Sequence, residues 1–165
     1  MTQTQARTRT FSWAAPGTHM KDLVGLDGLA QLRAMIEGRV PRPPIMDLMD
    51  VVDFDAEPGR VWLTMRAQEF HYNPLGGVHG GVIATLLDTA AACSVHSTLA
   101  PAETYTSLDL TTKFLRPVTV GSGLLRGEGW VLNRGRRIAL AQAQLHDEAG
   151  RLVAHATSSC LIMPA

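Results

Sequence analysis

Cysteine, net charge and long apolar runs are all scarce in this chain, and each scarcity removes a class of function. Only two cysteines, Cys93 and Cys160, occur in 165 residues, both in apolar surroundings and without metal-type spacing. They read as buried thiols in a reducing, cytoplasmic compartment rather than as a disulfide or a metal site. Fifteen basic residues stand against fifteen acidic ones. With no net charge, no bulk attraction draws the chain to nucleic acid or an anionic membrane, and an anionic ligand must be met by a local patch. No apolar stretch reaches the roughly eighteen residues that span a bilayer, and the N-terminus lacks the apolar run of a secretory signal. Residues 1–21 carry Arg7, Arg9 and Lys21 without an acid, a loose likeness to a transit segment. Lacking periodicity, they read as a disordered polar tail.

What is present is a soluble composition, 45% hydrophobic and 18% charged, of a size that suits one domain. Leu26, Leu29, Leu32 and Ile36 recur at helical spacing and predict an amphipathic helix over 26–37 ended by Gly38. Pro41, Pro43 and Pro44 follow as a stiff connector. Two strands are expected at about 45–54 and 60–68 around a turn at Glu57–Pro58–Gly59. A helix over 80–97 comes next, with apolar residues on nearly every side. Period-two runs then cover about 104–115, 123–133, 137–147 and 151–163, separated by turns at Pro117–Gly121, Asn133–Gly135 and Asp147–Gly150. The last three form a meander of hairpins, antiparallel because their loops are too short for crossovers. One buried helix against such a sheet is an α+β layer arrangement.

The helix from Gly80 carries one acid, Asp88, among apolar neighbours. A buried carboxylate is paired, protonated or functional. Read alone, Asp88 is a structural acid bonded to a neighbouring strand. Gly80 and Gly81 leave bare amides at the helix N-terminus, where negative charge is favoured, although they also permit close helix packing. His79 alone reads as a structural histidine and Asn73–Pro74 as a turn dipeptide. His19, His71, His96, His146 and His155 show no ligand spacing and read as surface or structural groups.

Together, Asn73, His79, Gly80, Gly81 and Asp88 form the pattern N-x5-H-G-G-x6-D, followed by Ser107 in TSLDLTTKFLRPV and by the meander. This resembles the hotdog-fold acyl-CoA thioesterases of the phenylacetate-degradation (PaaI) type over roughly residues 45–163. The resemblance implies an antiparallel sheet wrapped around a central helix as residues 41–165, with 1–40 an N-terminal tail and short helix. It implies a homodimer with two sites at the subunit interface, and further association into a dimer of dimers. The Gly80 N–H would polarise the thioester carbonyl, Asp88 would activate or orient water, Ser107 would help hold that water, and Asn73 and His79 would position the thioester. The resemblance also reverses the bland reading of Asp88. The resemblance implies that the glycine end comes from one subunit and the aspartate from the other. Eight residues separate Gly80 from Asp88, about 12 Å along a helix, which suits that arrangement, although distance alone does not forbid a site within one chain.

The chemistry needs an oxyanion donor and a base for water; neither metal nor cofactor is implied. Arg134, Arg136 and Arg137 crowd one turn and read either as a solvated hairpin tip or, with Arg116, as contacts for the phosphates of coenzyme A. A non-catalytic acyl-CoA-binding module is the alternative, since a scaffold does not dictate function. An enoyl-CoA hydratase would carry a histidine five residues after the aspartate, where this chain has Cys93. With nine aromatic residues, the sequence does not specify an aryl, short or long acyl group.

Overall fold

A computed structural model of the chain describes residues 6–15, 17, 18 and 20–165. Helices α1 (Met20–Leu23), α2 (Gly28–Ile36) and α3 (Pro44–Leu48) precede strands β1 (Val51–Glu57) and β2 (Arg60–Arg66). Then come the long helix α4 (Gly80–His96), β3 (Glu103–Ser107), β4 (Thr111–Phe114), β5 (Leu124–Arg134), β6 (Ile138–His146) and β7 (Leu152–Pro164). The strands form one antiparallel sheet in the order β1-β2-β5-β6-β7-β3, with β4 continuing beside β7. Helix α4 packs against β2 through β7, which is the expected hotdog architecture, and the β5-β6-β7 meander follows the predicted hairpins.

Small residues explain how closely the helix lies on the sheet. The buried positions of β6 facing α4 include Ala139, Ala141 and Ala143, all with no exposed surface. A Cβ at Gly129 of β5 would fall 2.1 Å from the Ala90 carbonyl oxygen, so only glycine fits beneath the helix there. Leu86, Leu87 and Val95 fill the intervening space, each worth about 1.5–3 kcal/mol of burial.

Helix α2 closes the far end of α4. Asp27 caps it by accepting the Ala30 N–H at 2.8 Å, and Gly38 at φ +71° follows its last turn. Gly28 lies flush against the His96 carbonyl and donates its N–H to Leu99 O at 3.0 Å, while Gln31 Oε1 meets His96 Nε2 at 2.9 Å. Leu32 packs beneath α2 with Ala56 and Val61.

The structure departs from expectation in four places. Residues 45–48 belong to α3 rather than a strand, because Pro44 stands at the first helical turn with Pro43 before it, a position that suits proline's fixed φ and missing donor. The left-handed Asp50, φ 56°, then turns the chain into β1. The predicted run 104–115 is broken at 108–110, so β3 and β4 are separate pieces of one edge strand. The polar tail is not wholly loose: Arg9 donates to Leu48 O at 2.7 Å and to Asp47 O, and stacks 4.0 Å over Phe70. Met1–Gln5, Pro16 and His19 lie outside the described residues. Finally, α4 is not buried on all sides. Gly81 is exposed, and Val82, Ala84, Thr85 and Asp88 keep partial exposure along its first half.

Candidate active site

The segment leading into α4 is held by its own side chains. Asn73 Oδ1 accepts the N–H groups of Leu75 at 2.9 Å and Gly77 at 3.3 Å, closing a local turn. His71 O accepts the His79 N–H, and Val118 O the Val78 N–H, both at 2.8 Å. His79 is the N-cap, and its Nδ1 accepts the Gly81 N–H at 2.8 Å. When the ring is neutral its proton therefore sits on Nε2. The His79 carbonyl accepts from Val82 at 2.9 Å and Ile83 at 3.3 Å. What remains is the Gly80 N–H, a first-turn amide without an acceptor inside the helix, at the end where partial positive charge collects.

Gly80 borders a groove of about 400 Å³ with Ile83, Phe114, Leu115 and Arg116. The Phe114 ring lies against it: a Cβ at Gly80 would come within 3.2 Å of that ring. A second groove, about 370 Å³, lies further along the same helix and is lined by Ala84, Thr85, Asp88, Ser107, Leu108 and Asp109. Here the Ser107 hydroxyl donates to Asp88 Oδ1 at 3.3 Å. The helix threonines offer no competing donor, because Thr85 Oγ1 donates to Gly81 O at 2.9 Å and Thr89 Oγ1 to Thr85 O at 2.8 Å.

The nearby thiols are both free and chemically quiet. Burial, with a contribution from the Asp88 charge, pushes the Cys93 thiol up to about 12, against a hydrogen bond from Tyr105. Burial likewise raises the Cys160 thiol, opposed by the Ser107 and Ser158 hydroxyls beside it. Neither supplies a thiolate at neutral pH. Among the described residues no three His, Cys, Asp or Glu side chains gather as a metal site would require.

The structure thus brings Asp88 and Ser107 into contact, sets Gly80 beside Arg116, and gives Asn73 and His79 backbone-bonding roles around Gly80. The other arginines lie elsewhere. Arg134 is engaged with Glu103 at 2.9 Å, Thr98 Oγ1 at 3.3 Å and the Gly135 carbonyl. Thr98 follows the C-terminus of α4, so this turn lies at the opposite end of a helix about 24 Å long from Gly80. Arg136 and Arg137 border a third depression, about 350 Å³, with Glu103, Ile162 and Met163. Among the groove residues that escaped sequence reasoning are Phe114 and Asp109.

Three likenesses bear on this arrangement. Human acyl-coenzyme A thioesterase 13 is 31% identical over 100 residues, covering 60% of this chain and 70% of that protein. The medium/long-chain acyl-CoA thioesterase YigI of Escherichia coli K12 is 34% identical over 103 residues, covering 52% of this chain and 62% of YigI. A solved phenylacetic acid degradation-related protein from Ralstonia eutropha superposes with a TM-score of 0.72 at 32% identity, covering 79% of this chain and 98% of its own. The thioesterase superfamily pattern matches residues 75–154, a stretch that takes in the turn before α4, both grooves and most of the meander. The chain belongs to the thioesterase superfamily.

Proposed function

We propose that the chain hydrolyses an acyl-CoA thioester to the free carboxylic acid and coenzyme A by direct attack of water. The observation that carries this reading is the Ser107–Asp88 hydrogen bond on the wall of an open groove. The acyl-CoA substrates named for the relatives support the choice of ester. Asp88 takes a proton from water as its oxygen bonds to the carbonyl carbon, with Ser107 fixing the carboxylate and the water. The Gly80 N–H meets the oxyanion, a task for which fixed donors suit better than water dipoles. The C–S bond then breaks and the CoA thiolate leaves, taking from Asp88 the proton that water gave up, which returns the carboxylate to its starting state. His79 and Asn73 hold the Gly80 amide in place, and Arg116 meets a phosphate of the nucleotide. No cofactor enters these steps.

A second copy of the chain completes the site. One helix separates Gly80 from Asp88 by about 12 Å, and the two line different grooves. The β3/β4 edge that borders both carries half-exposed Leu108, Phe114 and Leu115, an apolar edge of the kind that proteins cover. Edge-to-edge pairing there gives a homodimer, and two dimers associate further. Two uncombined thiols fit a cytoplasmic location, and among the described residues no helix is long and apolar enough to cross a membrane.

The test is thiol release from a panel of CoA thioesters of graded chain length by the purified protein, with Asp88→Asn in parallel. Turnover that falls about 10²-fold in the variant, the scale of a positioned base, supports the reading. A variant that hydrolyses normally removes Asp88 from it, and tight acyl-CoA binding without thiol release replaces the enzyme with a binding module.

A further inference from the structure

The break between β3 and β4 lies beside the candidate catalytic pair. Ser107 pairs with Cys160 and Thr111 with Thr157, so four steps along the edge strand face three along β7. One residue is therefore extra, which is a β-bulge, a device that bends a strand and re-aims a side chain. Opposite the bulge β7 runs on without interruption, pairing Ser158 and Ser159 with β6 on its other side.

One backbone bond from Leu108 and two bonds to Asp109 hold the bulge against β7. Leu108 donates its N–H to Ser159 O at 2.8 Å, as a regular ladder would. The returning bond is different: the Ser159 N–H goes to Asp109 Oδ1 at 3.0 Å, so a carboxylate replaces the strand carbonyl. The Asp109 carbonyl in turn accepts the hydroxyl of fully buried Ser158 at 2.7 Å. Two bonds to adjacent residues of β7 thus fix Asp109 at both its side chain and its backbone. Two residues upstream, Ser107 Oγ reaches Asp88, and Asp109 borders that same groove.

We infer that Asp109 is a positioning residue: by pinning the bulge to Ser158 and Ser159 it aims the Ser107 hydroxyl at Asp88. The inference rests on the reading of Asp88 and Ser107 as the pair that orients water. Asp109 contributes an acceptor oxygen at the bulge rather than a charge to the reaction. Its effect therefore belongs to turnover and not to substrate binding. Asparagine, which keeps the acceptor, substitutes for it, whereas alanine does not.

The experiment measures kcat and KM for one acyl-CoA with Asp109→Ala, Asp109→Asn, Ser158→Ala and Asp88→Asn, beside melting temperatures. Asp109→Ala is expected to lower kcat about tenfold with KM unchanged, the effect of losing alignment rather than binding. Asp109→Asn should stay within about threefold of the parent, and Ser158→Ala should fall between. Equal losses in the alanine and asparagine variants overturn the inference, because the charge would then matter. A loss carried in KM also overturns it, as does an Asp109→Ala enzyme with normal kcat. Should Asp109→Ala fail to fold, Ser158→Ala decides: a lowered kcat at normal KM supports the inference and a normal kcat overturns it. An active Asp88→Asn enzyme instead sinks the underlying catalytic reading, so the two failures are distinct.

Discussion

From Gly80 to Asp88, α4 keeps one flank open to two grooves; from Thr89 to His96 it is enclosed, with Ala90, Ala91, Ser94 and Val95 almost without exposed surface. The enclosed half is gripped by backbone, through Gly129 beneath Ala90 and Gly28 against the His96 carbonyl. The open half is met by side chains, Phe114 at Gly80 and Ser107 at Asp88. Rigidity and the proposed chemistry thus fall on different turns of one helix. A carboxylate and an uncapped amide tolerate the open half because water solvates them until a substrate arrives. The enclosed half anchors the helix against the sheet and α2.

Exchanging glycine for alanine in each half tests this most severely. At Gly129 the new Cβ would meet the Ala90 backbone at 2.1 Å, and backbone cannot give. Gly129→Ala should cost roughly 3 kcal/mol or more, lowering the melting temperature by about 6–12 °C for a domain of this size. At Gly80 the same methyl meets only a half-exposed Phe114 ring at 3.2 Å, in a helix that favours alanine over glycine. Gly80→Ala should melt close to the parent yet lose about tenfold in kcat/KM, since the methyl intrudes on the groove in front of the amide. Comparable stability losses at both positions would erase the distinction between the halves.

A smaller effect should come from Ser107. Ser107→Ala removes one hydrogen bond to Asp88 without removing the acid, so turnover should fall about five- to tenfold, the kinetic equivalent of roughly 1 kcal/mol for such a bond. The melting temperature should hardly move, because Ser107 borders open space. A loss as deep as that of Asp88→Asn would mean that serine does more than orient.

These elements were unequally legible in the sequence. Helix α2, the β1–β2 hairpin, the long helix and the meander declare themselves through local signals: apolar patterning, Gly38 after α2, Pro58–Gly59 and Asn133–Gly135 at turns. Residues 45–48 misled because Ile45, Met46 and Leu48 suit a strand as well as a helix, and the proline pair before them is a helix-start signal only if read so. The bulge at 108–110 was out of reach, because register depends on the partner strand and Asp109 acquires meaning only opposite Ser158 and Ser159. The Asp88–Ser107 contact joins residues nineteen apart in sequence, and no spacing rule encodes it. The family resemblance named both residues as holding water, and the direct bond between them emerges only in the fold. The arginines at the Asn133–Gly135 turn looked alike in sequence, and their separate surroundings emerge only in the fold.

Buried histidines sharpen the comparison through pH. Burial lowers the pKa of His96 at the enclosed end, and burial followed by the Arg9 charge lowers that of His71, below the ordinary 6.5. The unfolded chain then binds more protons than the folded one between the lowered values and 6.5, so stability rises with pH through that window and levels off above it. Melting temperature should stay flat above pH 7 and fall on acidification through about 6.5. His96→Gln should flatten that slope. A slope unchanged by the substitution would place the linked protons elsewhere.

The finest distinction lies between two arginines. Arg116 is exposed and lines the same groove as Gly80, whereas Arg134 is partly buried and occupied by Glu103 and Thr98 near the other end of α4. Arg116→Ala should raise KM for acyl-CoA about five- to tenfold, on the scale of one solvent-weakened bond to a phosphate at roughly 1 kcal/mol. It should leave kcat alone and spare a short acyl thioester that lacks the nucleotide. Arg134→Ala should do the reverse, costing about 0.5–1 kcal/mol of stability through the lost ion pair and leaving KM as it was. Steady-state kinetics on both thioesters, with melts of both variants, separate the outcomes. If Arg134→Ala also raised KM for acyl-CoA alone, the nucleotide would have to reach the hairpin turn, and the binding surface would extend along the helix rather than end at its open half.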